Sequence, residues 1–110
     1  MSASPEFVAH VNEQLAPLGT LTNGKFFGGH AFKHQGIQFA MVMGNTLYFC
    51  VNEHTRARYV RDGSKPFSYA TKKGRVEVRK YFSVPEDLLE NQAELLQWAK
   101  HAINAAQQPR

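Results

Sequence analysis

Five histidines, His10, His30, His34, His54 and His101, are the first candidates for chemistry, because imidazole ligates metals and moves protons near neutral pH. None stands in the paired spacing with cysteine or a second histidine that tetrahedral zinc sites use. His30 and His34 lie four apart, a spacing that aligns side chains on a helix, but the segment around them is strand-like and broken by turns. No metal is expected. Gly24, Gly28 and Gly29 approximate a phosphate loop, yet the lysine and serine or threonine that complete that motif do not follow them. Lys25-Phe26-Phe27-Gly28-Gly29 reads instead as a strand end whose backbone needs room or positive φ. There is no G-x-S-x-G elbow to present a nucleophile, and the adjacent carboxylates Glu86 and Asp87 suit the positive end of a helix dipole. These readings give no catalytic residue and no cofactor, and point to a protein that works by binding.

The cations carry the other candidate chemistry. Arg56, Arg58 and Arg61 fall on one short helical stretch, and Lys72, Lys73, Arg75, Arg79 and Lys80 follow on a β-type segment. Tyr69 and Tyr81 interleave with them, a mixture of charge and stacking surface that suits single-stranded nucleic acid. The same pattern also describes ordinary solvated side chains opposite a buried face. Thirteen Lys and Arg against nine Asp and Glu give a formal charge of +4, which favours polyanions but is well short of a dedicated basic stripe.

These residues need elements to hold them. Ser4-Pro5-Glu6 opens a helix with a hydroxyl cap, a first-turn proline and an early acid; Phe7, Val8, Val11 and Leu15 form its apolar face, and Pro17 and Gly19 stop it. From Thr20 to Asn52 the spacing predicts three strands, with turns at His34-Gln35-Gly36 and Gly44-Asn45. Ile37, Phe39, Met41 and Met43 alternate with Gln38, Ala40 and Val42, and Leu47, Phe49 and Val51 alternate with Tyr48 and Cys50. Asn52 caps a short helix through Arg56, Tyr59 and Val60 to Asp62, which Gly63 ends. A hairpin pairs Phe67 to Thr71 with Arg75 to Phe82 across Lys72-Lys73-Gly74. Ser83-Val84-Pro85-Glu86 has capping-box spacing, and Asn91-Gln92-Ala93-Glu94 repeats it, so the last helix is expected to restart near Asn91. Leu95, Leu96, Trp98, Ala99, Ala102, Ile103 and Ala106 give that helix its apolar face, and Gln107 to Arg110 read as a frayed tail.

At 110 residues with 43% hydrophobic and 20% charged residues, the chain reads as one globular domain over 1–110 with an ordered core at about residues 5–106. One cysteine, Cys50, permits no intramolecular disulfide, and the first eighteen residues lack the basic and apolar order of a secretory signal. The expectation is a cytoplasmic protein with no membrane segment.

Specific words now stand in order: Phe26-Phe27-Gly28-Gly29-His30, Gly36-Ile37-Gln38-Phe39-Ala40, Leu47-Tyr48-Phe49, Pro66-Phe67-Ser68-Tyr69, Tyr81-Phe82-Ser83-Val84-Pro85-Glu86 and Trp98-Ala99. Together they resemble the N-terminal domain of the TfoX/Sxy family, bacterial proteins associated with regulation of natural competence, over about Glu6 to Ala106. The resemblance implies a two-layer α+β fold with a five-stranded antiparallel sheet, in the order α-β-β-β-α-β-β-α and similar to secretion chaperones, and it implies no enzymatic activity. Cys50 stands where the family often has lysine and Asn52 where it often has aspartate. Full competence regulators also carry a C-terminal helical domain resembling a helix-hairpin-helix module, and no counterpart is expected within these residues. The leading expectation is a protein-interaction module whose partner is another protein such as a transcriptional regulator. The alternatives are nucleic-acid binding through the Arg56 to Lys80 region and small-molecule binding. A homodimer through an open sheet edge is a further expectation.

Overall fold

The computed structural model describes residues 3–107. Helix α1, Pro5–Leu15, begins as its sequence dictates: Ser4 Oγ accepts a hydrogen bond from the Phe7 amide at 3.3 Å and donates one to Glu6 Oε2 at 2.8 Å. That hydroxyl holds the Glu6 carboxyl below its ordinary range. Val11 and Leu15 are fully buried, and a 3-10 turn over Ala16–Leu18 ends at Gly19, whose φ of 105° suits glycine.

Four strands follow: β1 Leu21–Phe26, β2 Gly29–His34, β3 Ile37–Met43 and β4 Thr46–Cys50. Helix α2, Glu53–Arg61, leads to β5, Pro66–Thr71, and β6, Gly74–Ser83. A 3-10 segment over Glu86–Glu90 precedes α3, Gln92–Gln107. All strand pairs are antiparallel and the sheet order is β1-β2-β3-β4-β6-β5. The sheet therefore has six strands, not five, because the Thr20 to Asn52 segment holds four strands where three are expected. Phe27 and Gly28 take φ of 47° and 81°, both positive, as a two-residue type I′ hairpin requires, and they reverse the chain inside the aromatic run. Gln35 and Gly36 repeat the pattern at 53° and 80°. At Gly44-Asn45 only Gly44 has positive φ, 62°, as in a II′ turn.

The expected alternation along β3 breaks at one place. Phe32 pairs with Ala40 and Lys33 with Gln38, which leaves Phe39 as the extra residue of a β-bulge. Consecutive Phe39 and Ala40 thus both join the main core, with Phe32, Val42, Leu47, Phe49 and Phe82 from the sheet and Val11, Leu15, Leu95, Trp98 and Ala99 from the helices.

Asn52 caps α2 in a capping box: its Oδ1 accepts from the Thr55 amide and its own amide donates to Thr55 Oγ1, each at 2.9 Å. Asn91 caps α3, its Oδ1 accepting from the Glu94 amide at 3.4 Å. Ser83 does not act as a cap. It is the last residue of β6, and its Oγ instead accepts a hydrogen bond from the Lys65 amide at 3.1 Å, while the Glu86–Glu90 segment starts without a side-chain cap. The sheet ladder has claimed the hydroxyl first. Of the expected tail, Gln107 is the final residue of α3, and Gln108, Pro109 and Arg110 lie outside the described residues.

Two glycines separate by what surrounds them. A Cβ on Gly29 would strike the Val42 carbonyl oxygen, whereas one on Gly24 would meet nothing within 4 Å. Gly29→Ala is expected to destabilise the fold by about 1–3 kcal/mol, through forced backbone displacement, and Gly24→Ala to change stability by no more than about 0.5 kcal/mol. Urea unfolding of both variants checks this.

Candidate functional site

The helices bury most of the first sheet face. The second carries a smaller cluster, Met41, Met43, Cys50 and Tyr81, with Phe26, Tyr48, Phe67 and Val78 packed on it and Ala105 and Ala106 reaching it from the end of α3. Beside this cluster lies a groove of about 670 Å³, lined by Phe26, Phe27, Met41, Met43, Phe67, Ser68, Tyr69, Ala70, Arg75, Val78 and Tyr81. Its walls come from β1 with the following turn, from β3 at the centre and from the β5-β6 hairpin. The sheet therefore curls enough for its two outer strands to flank one concavity.

The groove is apolar with one charged side chain. Arg75 Nη2 donates to Ser68 Oγ at 2.8 Å. Phe27 is 85% exposed and touches Phe26 edge-on, with ring centroids 4.7 Å apart, and Tyr69 is 46% exposed. Tyr81 is buried and its hydroxyl donates to the Gln38 carbonyl at 3.5 Å, so it offers no stacking surface to a nucleic acid, contrary to its reading beside Tyr69. Tyr48 packs edge-on against Phe67 at 5.3 Å. Burial pushes the Tyr48 phenol above its ordinary range and that of Tyr81 up to about 12.

The eight candidate cations occupy several settings. Arg56 Nε donates to the Arg79 carbonyl at 3.3 Å, which brings α2 against β6. Arg58 lies over the Trp98 indole, 4.4 Å from the ring centroid, and with Arg61 it lines a second pocket, between α2 and α3. Lys72 and Lys73 form the tip of the β5-β6 hairpin, Arg75 sits at the groove, and Arg79 and Lys80 are exposed on β6.

The second pocket, about 340 Å³, is lined by His54, Thr55, Arg58, Tyr59, Arg61, Trp98 and His101. Tyr59 meets Trp98 edge-on at 4.7 Å, and its burial raises its phenol well above the ordinary range. His30 Nε2 lies 2.8 Å from Asn23 Oδ1, and partial burial lowers its pKa. Among the described residues no three His, Cys, Asp or Glu side chains gather as metal ligands, and no helix is long and apolar enough to cross a membrane.

In the sequence Phe26, Phe27, Met41 and Met43 look like ordinary strand residues. The one signal that singles out Phe27 is an aromatic side chain where the backbone must adopt positive φ, a position that asparagine or glycine would normally hold.

A curled antiparallel sheet, backed by α1 and α3 and joined by α2, with the strand and helix order above, is the frame of a known domain class. Residues 13–106 match the TfoX N-terminal domain, and the chain belongs to that family. It is 32% identical over 94 residues to Protein Sxy of Escherichia coli (strain K12), a match that covers 86% of this chain and 44% of Sxy. The chain therefore spans less than half the length of that relative.

The buried phenols set an alkaline limit. A phenol whose pKa is higher folded than unfolded favours the fold while neutral, so this stability is complete below the ordinary value of 10.0 and is lost as pH rises toward about 12. Unfolding free energy is expected to be flat up to pH 10 from this source and to fall above it. Tyr81→Phe should flatten part of that fall, as read by denaturant titrations at stepped pH.

Proposed function

We propose that this chain is a non-enzymatic interaction module, serving transcriptional or competence regulation by docking another protein in the groove of its curled sheet. The observation that carries the reading is the groove itself: an uncovered apolar concavity rimmed by exposed Phe27 and Tyr69, with a single cation, Arg75. Exposed aromatic side chains around an apolar floor are the usual anchors of protein recognition, and the lining holds no acid and base pair for proton transfer. Family membership supports the regulatory side of the reading, since the TfoX/Sxy resemblance implies a role in competence.

The test is quantitative affinity capture from bacterial lysate with the tagged chain and with a Phe27→Asp, Tyr69→Asp variant. Both side chains are exposed, so circular dichroism and the melting temperature should be unchanged. The specific partner should fall by roughly tenfold or more in the variant, as expected when central aromatic anchors are removed. A partner captured equally by both proteins would place docking elsewhere, and no specific partner for the wild-type chain would count against a docking role.

A further inference from the structure

The pocket between α2 and α3 shares no residue with the groove. On α2, His54, Arg58 and Arg61 recur at four- and three-residue spacing, so all three project to one side of the helix, and Trp98 and His101 do the same on α3. Every titratable side chain lining the pocket apart from the Tyr59 phenol is cationic or can become so, and no carboxylate is among them. A helix pair that gathers two arginines and two histidines without an acid leaves their charge uncompensated within the pocket. One further group lacks a partner. Trp98 is 4% exposed, and its indole Nε1–H, which can only donate, is buried and meets no acceptor. Buried donors are nearly always paired, which sets this indole apart from the other ring systems of the core.

We propose that this pocket binds a small phosphomonoester dianion. The Arg58 and Arg61 guanidinium groups match phosphate oxygens in planar, forked geometry, and Arg58 is already poised by its stacking on the indole. A volume of about 340 Å³ lies at the small end of ligand pockets, which favours a compact phosphorylated molecule over an extended chain. Because Arg58 lies over the indole, a phosphate bound to its guanidinium changes the electrostatic surroundings of Trp98.

Trp98 is the only tryptophan in the chain and it lines this pocket, so its emission reports on the surroundings of one indole. The full chain is titrated with inorganic phosphate and with phenyl phosphate, against sodium chloride at matched ionic strength, and the Trp98 indole N–H resonance is followed in parallel. The expected result is a saturable emission change with both phosphates, a shift of the indole N–H signal, and no saturable change with chloride. Arg58→Gln and Arg61→Gln should each weaken binding by roughly tenfold, the loss typical of a charge-assisted hydrogen bond. Lys33→Gln, at the one exposed position of β2 and outside the pocket lining, should leave it unchanged. The proposal is overturned if neither phosphate gives saturable binding, if chloride acts equally, or if Lys33→Gln weakens binding as much as the arginine variants. Single-stranded DNA without terminal phosphate forms the last arm. Tighter binding of that DNA than of phenyl phosphate, lost steeply with salt, would likewise overturn it, because the cations would then be reading a phosphodiester backbone.

Discussion

From Phe39 to Met43, β3 is buried without interruption, and the rest of the architecture follows from having to hide both sides of that strand. On one side the solution is conventional. Phe39, Ala40 and Val42 meet Leu95, Trp98 and Ala99 of α3 in a continuous core, and the bulge at Phe39 adds one more large ring to that side than a regular strand could supply. On the other side Met41 and Met43 have no comparable helical layer. They are covered by the sheet itself, through Phe26 near one margin, Phe67 and Val78 near the other and Tyr81 between them. Curling turns a sheet that would be flat on that side into a concave surface, so the groove is a direct result of how β3 is buried.

Much of the fold was legible because short-range chemistry agreed with the final packing. Ser4, Asn52 and Asn91 cap the helices that their positions promise, and the hairpins at Gln35-Gly36, Gly44-Asn45 and Lys72-Lys73 fall between strands of the expected alternation. The missed strand has a physical cause. A type I′ turn is normally announced by small or polar residues, and here its first central position is Phe27, so the run from Lys25 to Gly29 reads as one strand end when it holds a complete reversal. Ser83 misleads in the opposite direction, since a hydroxyl at capping distance from Glu86 is equally suited to receive an amide from the neighbouring Lys65 segment.

The two concavities were less legible than the elements that frame them. Alternating methionine and aromatic residues look alike in sequence whether a helix or a groove faces them, because period two identifies a face and not what covers it. Likewise, the cation-rich character of α2 is plain from Arg56, Arg58 and Arg61, but their separation into different settings is not. Arg56 turns to the Arg79 carbonyl of β6, while Arg58 turns to Trp98, a residue far along the chain. Only the packing of α2 against α3 and β6 decides which arginine does which.

The joining of the first and last helices has a consequence for biogenesis. Gln14 Nε2 donates to the Leu89 carbonyl at 2.7 Å, Gln92 Nε2 donates to the Gln14 carbonyl at 3.2 Å, and Val11 and Leu15 share their core with Leu95 and Ala99. Translation adds roughly 5–20 residues per second. The apolar side of α1 therefore emerges from the ribosome on the order of ten seconds before the helix that will cover it. Through that interval the nascent sheet lacks α3, so the core cannot close until that helix has been made.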